Sequence, residues 1–537
     1  MEQFRIAQVS APVLRAWSRK NVQKQFVAAF LVGQVFLLTG SVTSMAADSG
    51  NRLPKDSSSH RAADERLLDL GSDGNSTSAD GTTALHRAVY HNDVELAALL
   101  LAMGADANAE NRYGATPLVV ACPNSNPDMV ELLLNAGAEA NFAPMGEPPL
   151  MTAARSGVVA SVRHLLAAGA DIHAVDGLRG QTPLMWAAAE NHVAVMEVLL
   201  EGGAEISATS KGNFTALKFA VRQDARDAVK LLIDAGADVN PVMLENQETQ
   251  TKSQGAARDV LSIAVSNRHY TVAAMLLNAG SDPNAKNAQG RTVLHDLVAS
   301  RSPKRHLGNV VVAFTAEDPS QFSSLKLLEM LLAKGADPNP RTEPSPIVHE
   351  RWTDKDIYSG ARPLMDNAVN LGGVTPYLLA AQGADTAAMR VLEANGADPR
   401  LATFANNTAL MLSAGVGHVD GARQFRSEKS ALEAVKLALA AGVDVNAANA
   451  NGQTALHGTV YRAADSIIEL LVESGARSDL SDELGRTALD LAEQSFNQNS
   501  SLIRRDRSAA LLRKLGAKPT KQHEANRYAN QLVASAR

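Results

Sequence analysis

The chain has 537 residues, a formal charge of −6, one cysteine (Cys122), and only 3 Trp, 7 Tyr and 12 Phe against 91 Ala. One cysteine excludes an intramolecular disulfide, a c-type haem attachment and any multi-cysteine zinc site, and the negative balance supplies no electrostatic reason to bind nucleic acid. Scarce aromatics argue against a large β-sandwich or barrel, whereas small residues favour helices that approach closely.

Residues 1–46 read as a signal peptide. Arg5, Arg15, Arg19, Lys20 and Lys24 form a basic opening, an apolar run follows from Phe26 to Leu38, and Ser44 and Ala46 fit a cleavage site. The run is short for a membrane span. Cleavage after Ala46 would raise the negative charge from −6 to −10. No later stretch is apolar enough to cross a membrane, so the expectation is export to the periplasm or extracellular space with no span retained. Ser18-Arg19-Lys20 leaves the general secretory and twin-arginine routes both open. Residues 47–60, with Ser57 to Ser59, read as a flexible linker.

From residue 61 a repeat takes over. A Gly-Ala-Asp phrase recurs with its glycine at 104, 137, 169, 203 and 236, at gaps of 33, 32, 34 and 33, and six times more up to Gly516. A Thr-Pro-Leu phrase interlocks with it, beginning at Thr83, Thr116, Thr182 and Thr215 and again down to Thr487. In the first copy Thr83 is an N-cap, with Leu85, Ala88 and Val89 along one face of a short helix. His91-Asn92-Asp93 turns the chain. A second helix runs from Val94 to Met103, with Leu96, Leu99 and Leu100 at helical spacing, and Gly104 ends it in a left-handed conformation. One helix pair cannot bury its own apolar face, but stacked pairs can.

This unit resembles the ankyrin repeat, whose first helix opens T-P-L-H-x-A. Gln181-Thr-Pro-Leu-Met-Trp186 and Gly452-Gln-Thr-Ala-Leu-His457 carry the phrase. The resemblance covers residues 61–517, about 85% of the chain, and implies an all-α fold: a solenoid of a half-repeat cap and about eleven helix-turn-helix repeats with β-turn fingers. Residues 518–537 read as a polar tail. The period is broken near 241–257, 300–322, 340–371 and 418–430, and by 8 residues in repeat eleven. The insertion at 340–371 concentrates aromatics, with Trp352 and Tyr358.

The sequence contains no nucleophile elbow, phosphate loop, HExxH or EF-hand pattern. His86, His295 and His457 lie in repeats too far apart to share an ion and are expected to be structural, and Cys122 is expected to be a buried small residue. A non-enzymatic chain without cofactor or metal is the expectation. What the resemblance implies is a protein partner, held by finger tips and by the ends of first helices on the concave face. The matching positions are Tyr90, His91, Arg112, Tyr113, Met145, Arg155, Leu178, Arg179, Glu190, Lys211, Phe214 and Arg222, a locally basic and aromatic strip. Trp186 and Phe219 read as packing. The function expected is a monomeric protein–protein interaction scaffold. The alternatives are a glycan, cell-wall or small-ligand receptor built on the 340–371 finger, and a secreted effector acting on host proteins.

Overall fold

The architecture follows from how each repeat starts and stops its helices. In a computed structural model, the described residues are 75–124, 126–143, 146–241, 259–301, 322–344, 371–417, 427–493, 496–498, 501–503 and 505–521. The stretches read above as signal peptide (1–46), linker (47–60) and half-repeat cap (61–70) lie outside them, as do residues 242–258, 302–321, 345–370, 418–426 and 522–537.

Among the described residues 22 α-helices form eleven pairs within one compact unit, residues 71–537. The first five pairs are α1 (Ala84–Tyr90) with α2 (Val94–Ala102), α3 (Pro117–Ala121) with α4 (Pro127–Asn135), α5 (Pro149–Ser156) with α6 (Val159–Ala167), α7 (Pro183–Ala189) with α8 (Val193–Glu201), and α9 (Ala216–Arg222) with α10 (Arg226–Asp234). Next come α11 (Val260–Ser266) with α12 (Tyr270–Asn278), α13 (Val293–Arg301) with α14 (Ser324–Ala333), and α15 (Pro376–Gln382) with α16 (Thr386–Ala394). The last three are α17 (Ala409–Ala414) with α18 (Glu428–Ala440), α19 (Ala455–Arg462) with α20 (Asp465–Glu473), and α21 (Ala488–Glu493) with α22 (Asp506–Lys514). Each first helix packs on its own partner and on the first helix of the next repeat, which is the all-α solenoid that the sequence predicts.

The starts are set by side chains. The hydroxyls of Thr83, Thr116, Thr182, Thr215, Thr375 and Thr408 each accept the backbone N–H three residues on, and a proline stands first in α3, α5, α7 and α15. Repeat six uses Asp259 as its cap, and repeat three has Pro148, which supplies no side-chain bond. At the end of α2, Gly104 has φ +89°, its N–H donates to the Leu101 carbonyl, and the Ala105 N–H donates to the Leu100 carbonyl. That pair of bonds closes a helix through a left-handed residue, which a Cβ would strain.

The core is made of small and branched side chains: Leu85, Ala88, Val89, Ala97 and Leu100 in repeat one are each under 3% exposed, and the same register recurs along the stack. Leu99 departs from expectation at 49% exposed, because second helices are covered on one side only and Leu99 lies off that side. Gly458 in α19 stands against the Gly415 turn after α17, and a Cβ there would lie 2.6 Å from the Val416 backbone nitrogen. The nearest obstructing atom is backbone, with Val416 Cγ2 at 2.9 Å and the Gly415 carbonyl carbon at 3.1 Å beside it, so Gly458→Ala is expected to lower stability by about 1–3 kcal/mol in urea unfolding; an unchanged midpoint would contradict this close approach.

Three details differ from the sequence reading. Residues 428–430, expected inside an inserted loop, form the first turn of α18 behind the N-cap Ser427. Arg341 to Glu343, expected to begin the 340–371 insertion, are part of a finger: Thr342 N–H donates to the Val374 carbonyl and Glu343 N–H to the Gln289 carbonyl. The extra length in repeat eleven holds a small antiparallel hairpin, β1 (Phe496–Gln498) with β2 (Ser501–Ile503), where Phe496 pairs with Ile503.

Candidate interaction surface

The fingers are rigid because their own polar side chains close them. Asn111 Oδ1 accepts the N–H groups of Tyr113 and Ala115, and Asp176 accepts those of Arg179 and Gln181. Adjacent fingers are then joined by backbone bonds: Arg112 N–H to Asp80 carbonyl, Gly177 to Gly146, Lys211 to Arg179, Phe404 to Gly372, Ala450 to Ala405 and Glu483 to Asn451, all at 2.7–3.0 Å. A finger-tip side chain therefore stands on a bonded ribbon.

A second set of links runs beneath the fingers. Asn108 Nδ2 donates to the Gly137 carbonyl at 2.9 Å while its Oδ1 accepts the Glu139 N–H at 2.8 Å. Asn75, Asn141, Asn240, Asn284, Asn339 and Asn446 each make the same pair of bonds to the following repeat. The three T-P-L-H histidines form a third set. Nδ1 of His86, His295 and His457 accepts the N–H of Thr83, Thr292 and Thr454, which leaves Nε2 as the donor to the carbonyls of Ala115, Val374 and Arg486 at 2.8–3.0 Å. Burial lowers the pKa of all three, His295 to about 4, so they stay neutral. Their role is to tie one repeat to the next. Cys122 is fully buried and its thiol is pushed up to about 12 by that burial, which suits an inert packing residue.

The sequence-predicted site residues fall into two rows. The finger-tip row holds Arg112, Tyr113 (48% exposed), Leu178 (80% exposed), Arg179 and Lys211, all exposed, and the half-buried Phe214. Arg112 donates to the Ala79 carbonyl and Lys211 Nζ to the Gly177 carbonyl at 2.7 Å, so both cations also brace the neighbouring finger. Phe214 leans on Phe219 with ring centroids 5.4 Å apart, and the Lys218 ammonium lies 6.0 Å from its centroid. The helix-end row holds Tyr90 (69% exposed) with His91 edge-on at 5.3 Å, then Arg155, and exposed Glu190 and Arg222. Met145, Trp352 and Tyr358 lie outside the described residues.

Sequence reasoning missed one contact and two surface groups. Trp186, read as packing, is half-buried with the Arg155 guanidinium 5.0 Å above its ring, and Arg155 also pairs with Glu147 at 3.2 Å. Phe404 (55% exposed) lies 4.5 Å under the Arg341 guanidinium, and Leu484 is 60% exposed. Phe404 and Leu484 occupy the same finger register as Arg112 and Tyr113, and that register was the available signal.

No helix among the described residues is long and apolar enough to cross a membrane. In comparisons with known proteins, the family model described as ankyrin repeats matches residues 59–143, 150–243 and 424–522. The chain is similar to ankyrin repeat and SOCS box protein 16 of Homo sapiens, 34% identical over 281 residues, which is 50% of this chain and 54% of that protein. It is also similar to the E3 ubiquitin-protein ligase KEG of Arabidopsis thaliana, 27% identical over 287 residues, 51% of this chain and 15% of that protein. The chain thus spans about half, or far less, of the length of these relatives. Matched over more than half its residues and, among the described residues, built of eleven helix pairs with bonded fingers, the chain belongs to the ankyrin-repeat family and is a protein–protein interaction scaffold.

Proposed function

We propose that this scaffold is non-catalytic, is exported behind its 1–46 leader, and holds one protein partner along the finger-and-first-helix face of repeats one to five. The observation that carries this reading is the row of exposed Tyr113, Leu178 and their neighbours on a hydrogen-bonded finger ribbon. Exposed apolar groups on a preorganised backbone lose little conformational freedom on binding, and Tyr and Arg are the types enriched at interface hot spots. Five of the twelve first-half positions are basic and one, Glu190, is acidic. The partner surface is therefore acidic with apolar pockets. Arg155 contributes less charge than its type suggests, since Glu147 already faces it.

The test is affinity capture of the mature chain's partner from an envelope extract, repeated with Tyr113→Ala, Leu178→Ala and Arg222→Ala combined. These side chains are exposed, so the melting temperature should hold while partner affinity falls at least about a hundredfold. Undiminished capture would overturn the reading. N-terminal sequencing of the exported protein, expected to begin at Ala47, checks the leader.

A further inference from the structure

The asparagine links under the fingers lapse at four repeats, where His173, Ser207, Arg400 and Asp479 stand in place of the asparagine, and only His173 and Ser207 belong to successive repeats. His173 and Ser207 stand where Asn108 and Asn141 stand in earlier repeats, each two residues after the acidic residue that follows the Gly-Ala pair. An asparagine at 173 would bond the Gly203 carbonyl and the Glu205 N–H; at 207 it would bond the Gly236 carbonyl and the Asp238 N–H. These four backbone groups belong to exposed residues and, among the described residues, bond no other protein group. The His173 ring is exposed and bonds neither of its two groups, and the Ser207 hydroxyl is turned to Glu205 Oε1 at 2.9 Å. The first gap opens into a cavity of about 330 Å³ lined by Ile172, His173, Val175, Glu205, Ser207 and Thr209, among others.

We propose that this pair of gaps is a binding site for primary carboxamides: a ligand's Asn or Gln side chains enter where the protein's own asparagines are missing. A carboxamide matches each gap because it offers an N–H donor to the carbonyl and an oxygen acceptor to the N–H, the arrangement that Asn108 and Asn141 make in the intact links. A carboxylate has no donor for the carbonyl. Successive gaps are one repeat apart, about 10 Å. A polyproline II segment, with three residues per turn and a rise of about 3.1 Å, places positions i and i+3 on one face about 9 Å apart. The ligand is thus an extended peptide carrying Asn or Gln at i and i+3. The site uses none of the finger-tip side chains and does not rest on the reading of that surface.

The test uses the full chain and a fluorescein-labelled, N-methylamide-ended peptide, Pro-Asn-Pro-Pro-Asn-Pro, followed by anisotropy. Saturable binding is expected, with the Asp-for-Asn peptide and a peptide with the asparagines two positions apart each at least about tenfold weaker. His173→Asn supplies the protein's own link, so it should raise the thermal midpoint and weaken the peptide at least about tenfold. His173→Ala should leave binding in place and serves as the control for loss of the ring alone. Absence of binding, equal binding of the Asp peptide, or a His173→Asn chain that binds undiminished or melts no higher would each overturn the proposal.

Discussion

Arg301→Ala is expected to destabilise the stack at repeats seven and eight by about 3–5 kcal/mol, the largest effect of any single substitution named here. Arg301 is the last residue of α13, and its side chain is 10% exposed. Its Nε donates to Asp385 Oδ2 at 2.8 Å and its Nη2 to Oδ1 at 3.3 Å, while Nη1 donates to Ser324 Oγ. Asp385 is fully buried and also caps α16 by accepting the Ala388 N–H. One guanidinium therefore joins α13, α14 and α16 across a repeat boundary. Truncation leaves a carboxylate out of water without its cation, and that desolvation dominates the cost. The double variant Arg301→Met with Asp385→Ala removes both charges and should recover most of the loss, short of about 1 kcal/mol for the missing cap. Urea unfolding, with hydrogen exchange at Ala388 as a local probe, measures both. A loss under about 1 kcal/mol for Arg301→Ala would show that the pair adds little here.

Acid is expected to weaken the array through its histidine ties. His295 has a folded pKa lowered from 6.5 to about 4 by burial, an effect that its bond to the Val374 carbonyl only partly opposes. The unfolded chain takes up this proton below pH 6.5 and the folded chain does not until about pH 4. Stability is thus fully present above pH 6.5 and falls as pH drops toward 4, by about 1.4 kcal/mol per unit and about 3 kcal/mol in total for this residue. His86 and His457 are lowered for the same reason and add in the same direction. Asp259, whose pKa burial raises, acts oppositely. Urea midpoints between pH 7 and 4.5 should fall steadily. His295→Gln, which keeps an N–H for the Val374 carbonyl, should reduce the slope by about one proton. A pH-independent midpoint, or a variant with an unaltered slope, would rule this out.

Much of the fold was legible because its causes lie within one repeat. Thr83 caps the helix it precedes, Pro117 and Pro183 begin theirs, and Gly104 closes the helix before it. These contacts span a few residues and recur at a fixed interval, so periodicity exposes them. The histidines were placed correctly as structural, but not their bonds, since Nε2 of His86 meets a carbonyl 29 residues away. Leu99 shares helical spacing with Leu96 and Leu100 yet faces solvent, because spacing does not tell which side of a second helix is covered. Trp186 is the partly buried packing residue that its position implies, but its stacking under Arg155 from the preceding repeat could not be read from one repeat's spacing.

The sequence by itself determined the repeat, its caps and turns, the ankyrin architecture and the finger register that carries Tyr113 and Leu178, because short-range hydrogen bonds and helical periodicity are written in consecutive residues. Only the tertiary structure decided which repeats are tied by Arg301 and Asp385, which aromatic rings lie under guanidinium groups, and where the asparagine links lapse at His173 and Ser207. Those features join groups about thirty or more residues apart, and they exist only once neighbouring repeats stack and bring one unit's side chains against the next unit's backbone.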